Sequence, residues 1–99
     1  MHKITVQYPT PADTDAFETR YAEEHAPLVR AIPGLERFTL THPRAMAGAA
    51  PYLVAEMWFG DADALKAALR SPEMGAAGAH AAGFGLETTM FSGEVSEHA

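Results

Sequence analysis

Phe17-Glu-Thr-Arg-Tyr-Ala-Glu-Glu-His-Ala-Pro-Leu-Val-Arg-Ala-Ile-Pro-Gly34 is the stretch on which the fold turns. Phe17, Tyr21, His25, Leu28 and Ile32 recur at steps of 4, 4, 3 and 4, which places them on one stripe of an amphipathic helix; Arg20, Glu23 and Glu24 fall off it. Pro27 has no N–H for the carbonyl four residues back and disfavours helical geometry at Ala26, so a kink or a fresh short helix is expected there. Pro33-Gly34 ends the segment. Upstream, Ile4, Val6 and Tyr8 alternate with Lys3, Thr5 and Gln7, the period-2 pattern of a half-buried strand, closed by Pro9 and Pro11. Asp13 or Asp15 is placed to cap the next helix.

Downstream, Leu35 to His42 reads as a strand stopped by Pro43, and a loop of small residues runs from Met46 to Pro51. Tyr52 to Phe59 is the strongest strand signal. Leu53, Ala55, Met57 and Phe59 share one face and Tyr52, Val54, Glu56 and Trp58 the other, so both faces are expected to be covered. Asp61 caps a helix through Leu65, Ala68 and Leu69, and Ser71-Pro72-Glu73 reads as a new helix start. Gly75, Gly78 and Gly83 weaken that new helix by about 1 kcal/mol each, which makes residues 72–84 the expected mobile wall or lid. Glu87 to Val95 supplies a last strand.

The order β-α-β-β-α-β predicts a single α+β domain over residues 1–99: a ferredoxin-like sandwich with a four-stranded antiparallel sheet and its helices on one face. Its open face would carry Trp58, Tyr52 and Glu56, with Lys3 or Arg37 as a partner for the carboxylate. A second copy packed sheet to sheet would cover that face. Composition points the same way: of the 99 residues 20 are Ala, while Leu, Ile, Val and Phe total only 18, so the core is thin and burial at a homodimer interface would supplement it.

Composition also excludes classes of function. Seven Lys and Arg against 13 Asp and Glu give a net charge of −6, which repels rather than neutralises a phosphate backbone, so no nucleic-acid partner is expected. No apolar run reaches the roughly 20 residues of a membrane span, and the amino terminus lacks an h-region; a cytoplasmic location is expected. With no cysteine there is no disulfide, thiolate nucleophile or cysteine-based metal site. No pair of histidines or acids has a recognised metal-ligand spacing, and the Gly75 to Gly85 run is not a nucleotide loop, so no metal or cofactor is implied.

Phe17, Tyr21, His25, Pro27, Leu28, Pro33 and Gly34 form the pattern F-x3-Y-x3-H-x-P-L-x4-P-G, which resembles EthD-like proteins; the likeness continues through Tyr52–Phe59, Leu65–Leu69 and Ser71–Glu73. The resemblance implies a dimeric α/β barrel with a pocket between helices and sheet in each subunit. The wider group includes antibiotic monooxygenases, muconolactone isomerases and polyketide cyclases. It therefore implies a cofactor-independent catabolic enzyme of isomerase, cyclase or monooxygenase type, acting on an aromatic, lactone or polyketide-like ligand. One departure is visible: His80 and Gly83 stand where the family pattern leads us to expect Asp and Asn.

His25 is the candidate acid–base group and Tyr21, one turn earlier, its helper. Its helix-end position and Glu23 and Glu24 favour the imidazolium, while an apolar pocket disfavours it. The alternative is a buried histidine that merely serves carbonyls freed by Pro27. Tyr8, Phe17, Phe38, Met57, Phe59, His80 and Phe84 would line a cavity for a small hydrophobic or aromatic ligand, or simply fill the core. Two further readings stay open: a non-catalytic ligand-binding dimer, and a haem protein using His80 as axial ligand.

Overall fold

A computed structural model describes all 99 residues, in the order β1 (His2–Tyr8), α1 (Thr14–Arg20), a π-helical turn (Tyr21–His25), α2 (Ala26–Arg30), β2 (Leu35–Thr41), β3 (Leu53–Phe59), α3 (Ala62–Leu69), α4 (Pro72–Ala82) and β4 (Thr89–Glu94). The strands pair antiparallel in the order β2-β3-β1-β4. This is the ferredoxin-like arrangement that the element order predicts. The single chain's sheet has two free edges, β2 and β4, so it is an open sheet and not a closed barrel.

Register fixes which residues meet the helices. Ile4 faces Met57, Val6 faces Ala55 and Tyr8 faces Leu53, and all six are buried on the helix side. On the opposite face Lys3, Thr5 and Gln7 stand beside Trp58, Glu56 and Val54. Lys3 pairs with Glu56, and the Lys3 ammonium and Arg37 guanidinium lie 4.9 and 5.2 Å from the Trp58 ring. Glu56 thus has the partner its position requires. Tyr52, expected on this open face, is elsewhere. It precedes the first ladder pair of β3, and its ring packs edge-on against Phe17 at 5.9 Å while its hydroxyl donates to Glu18 at 2.9 Å. Tyr52 therefore closes the helix layer at the end of the sheet.

Each helix start has its cap. Asp13, Asp61 and Ser71 accept from the backbone N–H three residues on, at 3.0, 2.8 and 3.1 Å. At Pro27 a new short helix begins, as expected: the chain widens into a π turn, with the Ala26 N–H donating to the Tyr21 carbonyl, five residues back, and α2 starts with Pro27 in its first turn. The extra residue per turn absorbs the missing proline donor while Tyr21, His25 and Val29 all remain buried.

Residues 72–84, expected as a mobile wall or lid, are helical through residue 82. α4 is a regular helix of 11 residues, with Ser71 as cap, Pro72 in its first turn and Glu73 near its positive end. Alanines at 76, 77, 79, 81 and 82 offset the two interior glycines, since alanine is the strongest helix former. No helix in the fold is long and apolar enough to cross a membrane.

Candidate functional site

The π turn and α4 bring together two histidines that lie 55 positions apart in the chain. Their Nδ1 atoms are 3.0 Å apart and the rings stack, with centroids at 5.1 Å. Because each neutral imidazole has one N–H and one lone pair, one of the two rings must donate in this contact and the other accept. His25 is buried, and its Nε2 has no hydrogen-bond partner within the chain. Burial, reinforced by the neighbouring His80, lowers the His25 pKa to about 4, so the ring is neutral at physiological pH.

Aromatic side chains form the wall around the pair. Tyr21 lies against His25 at 4.8 Å, and Phe84 meets His25 edge-on at 5.5 Å and His80 at 5.3 Å. Tyr8 packs edge-on to Tyr21 at 5.8 Å. Burial pushes both phenols above the ordinary tyrosine range, and at Tyr21 the facing Tyr8 hydroxyl adds to the effect. Both therefore stay protonated and act only as neutral hydrogen-bonding groups.

A cavity of about 300 Å³ lies between the helices and the sheet, in the lower part of the size range of small-molecule sites. Tyr8, Tyr21, His25, Phe38 and Met57 line it, as the sequence suggests. Phe17, Phe59, His80 and Phe84 do not: Phe17 and Phe84 back the histidine pair, Phe59 is buried elsewhere in the core, and His80 stands behind His25. Residues 72–84, expected as a wall, do supply one: the inner face of α4 contributes Met74, Ala77, Gly78, Ala81 and Ala82, and Leu86, Thr88 and Met90 lie beyond it. The spacing of Ala77, Gly78, Ala81 and Ala82, one helix turn apart, is the signal that picks out the individual residues within that segment.

Sixteen of the 19 lining residues are hydrophobic, and none carries a formal charge at neutral pH once His25 is neutral. A wider groove of about 640 Å³ runs along the edge strand β2 past Arg30, Glu36 and Arg37, but it contains neither histidine. No three His, Cys, Asp or Glu side chains converge as a metal site would require. Haem ligation by His80 does not fit either. His80 is not among the residues that line the cavity.

An EthD domain matches residues 9–85, which includes the π turn, His25 and His80. The chain belongs to the EthD family. A crystal structure of an ethyl tert-butyl ether degradation (EthD) family protein from Bacillus halodurans is 36% identical, with a TM-score of 0.86, and the match covers 97% of this chain and 99% of that one. An uncharacterized 11.0 kDa protein from the thcB-thcC intergenic region of Rhodococcus erythropolis is 35% identical, over 95% of both chains. At the level of fold alone, this EthD protein is similar to SnoaB, a cofactor-independent oxygenase from Streptomyces nogalater. That match has 20% identity and a TM-score of 0.72, and covers 98% of this chain and 94% of that one.

Proposed function

We propose that this EthD protein takes a compact, uncharged, mainly apolar molecule into its cavity, with His25 as the group that removes or returns a proton there. One observation carries the reading: a buried, neutral imidazole with an unpartnered Nε2 sits in the wall of an otherwise apolar cavity of about 300 Å³. A phenol, an enolisable ketone or a lactone of one or two rings suits that lining; a carboxylate would lose its hydration without meeting a cation. Tyr8, protonated and accepting from Tyr21, donates to a ligand oxygen. The similarity to SnoaB supports cofactor-independent proton chemistry, in which the base generates an electron-rich anion from the bound molecule. Isomerisation and cyclisation begin from the same anion.

A homodimer is part of the proposal. The open face of the sheet carries Trp58, half-buried, and Phe91, 47% exposed, on strands that a second copy would stack upon. Sheet-to-sheet packing would cover both rings and assemble the dimeric α/β barrel.

The test is solvent-deuterium exchange into neutral carbon acids, such as 2-tetralone and aryl-substituted butenolides, with their carboxylated analogues as controls. Exchange by the wild-type protein, lost in His25→Gln with binding retained, is the expected result. Exchange that is unchanged in His25→Gln would overturn the role of His25. Binding with no exchange in either protein would favour the second reading, a carrier of hydrophobic molecules, for which the apolar lining alone suffices.

A further inference from the structure

His80 has one ring nitrogen accounted for and one that is not. Nδ1 contacts His25, whereas Nε2 is buried without a hydrogen-bond partner and stops 3.6 Å from Glu24 Oε1. A buried polar atom left unpaired is uncommon and calls for an explanation. Glu24 supplies one. Its side chain is 57% exposed and free to swing, with Arg20 alongside at 3.8 Å. A shift of a few tenths of an ångström, or one bridging water, completes the contact with His80.

Working inward from the carboxylate assigns every proton. An ionised carboxylate only accepts, so His80 carries its hydrogen on Nε2 and presents a lone pair at Nδ1. The 3.0 Å contact then requires His25 to donate from its own Nδ1. The lone pair of His25 is left on Nε2, the nitrogen free for the cavity that this residue lines. With both rings neutral, no other assignment satisfies Glu24, His80 and His25 together.

We infer that Glu24, His80 and His25 form a carboxylate–imidazole–imidazole proton relay joining the cavity to solvent, with His80 as its positioning residue. The inference rests on the reading of His25 as the cavity's acid–base group and extends it. When the acidic C–H or O–H of a bound molecule ionises, its proton goes to His25 Nε2 and the proton on His25 Nδ1 moves to His80 Nδ1. The proton on His80 Nε2 then passes to Glu24 or to water beside it. Each ring gains one proton and loses one, no electrons move, and the reverse sequence returns the proton when the product is protonated. The relay matters because burial opposes a lasting charge on His25. It sets the charge down at the surface instead, where Arg20 and Glu24 are the charged groups facing His80.

Long-range ¹H–¹⁵N NMR of the full chain with ¹⁵N-labelled histidine rings, without ligand at pH 7.5, tests this directly. The expected result is the Nδ1–H tautomer at His25 and the Nε2–H tautomer at His80. In Glu24→Gln, an exposed substitution, the amide can also donate and no longer selects one tautomer at His80. The His25 signals are then expected to move with those of His80, although Glu24 bonds only the latter. An Nε2–H tautomer at His25 in the wild-type protein, or ring signals unmoved by Glu24→Gln, would overturn the relay. Because no ligand is involved, a failure of the carbon-acid assay leaves this result intact, and the two proposals can fail separately.

Discussion

Protonating His25 must destabilise the fold, and its surroundings set the size of the effect. The ring titrates ordinarily at 6.5 and in the fold at about 4, because burial and then the facing His80 disfavour the imidazolium. The unfolded chain therefore binds a proton at His25 across a window in which the folded chain does not. Stability from this residue is fully present above pH 6.5, falls as the pH drops toward 4, and changes no further below that. The difference amounts to about 3 kcal/mol, with a limiting slope of about 1.4 kcal/mol per pH unit. For a domain whose total stability is on the order of 5–15 kcal/mol this is a large share, and it corresponds to a Tm shift on the order of 15 °C. Urea unfolding at pH 7.5, 6.5, 5.5 and 4.5 and one fixed protein concentration, for the wild type and for His25→Gln, isolates the effect. The carboxylates titrate in both proteins, so only the difference between the two curves is used. Repeating the pair in a His80→Gln background removes the contribution of the second ring. Parallel curves for wild type and His25→Gln would refute the account of His25 as a buried neutral imidazole.

Two further perturbations address the cavity and the open face. Gly78→Leu places a side chain where an added Cβ meets nothing within 4 Å, on the α4 face that lines the cavity. It should abolish binding of neutral carbon acids while the Tm holds or rises, since leucine is the better helix former by somewhat under 1 kcal/mol; undiminished binding by calorimetry would contradict the location of the site. Trp58→Glu buries an extra charge against Glu56 in a sheet-stacked pair and should convert a dimer to a monomer in light scattering. An unchanged mass would remove the sheet face from the interface.

The fold was legible where its determinants are local. Alternation at Ile4, Val6 and Tyr8 and the capping residues Asp61 and Ser71 are properties of a few consecutive residues, and strands and helices begin where they imply. The reading was less sharp where two local rules competed. At Pro27 the loss of a donor argues for a kink or a fresh short helix, and α2 does start there, but the π turn that leads into it, which keeps the buried stripe continuous, follows from no single local rule. In α4 the glycine penalty weakens the helix that Ser71-Pro72-Glu73 starts, yet the capped, proline-started run of alanines outweighs it. Tyr52 follows the alternation of β3 on paper, but it lies outside the ladder and is free to turn toward Phe17. The pairing of His25 with His80 was not legible at all. It depends on how α4 packs against the π turn, a contact between distant segments that no spacing encodes.

The scarcity of large apolar side chains and the existence of the cavity have one cause. Among the 15 core residues four are alanines, and one of them, Ala77, belongs to the α4 face that looks across the cavity toward the sheet. Larger residues at Ala77, Gly78, Ala81 and Ala82 would strengthen the core, each buried methylene contributing about 0.8 kcal/mol. They would also fill the 300 Å³ that His25 faces. The sheet meanwhile leaves Trp58 and Phe91 on its other side for a second copy to cover, so burial withheld beneath α4 can be recovered at an interface remote from the cavity. On this account dimerisation and the cavity are coupled through stability. A variant that fills the cavity, such as Gly78→Leu, should therefore keep a higher Tm after Trp58→Glu than the wild-type chain does, the two effects adding as at distant sites, and a double variant no more stable than Trp58→Glu alone would refute the account.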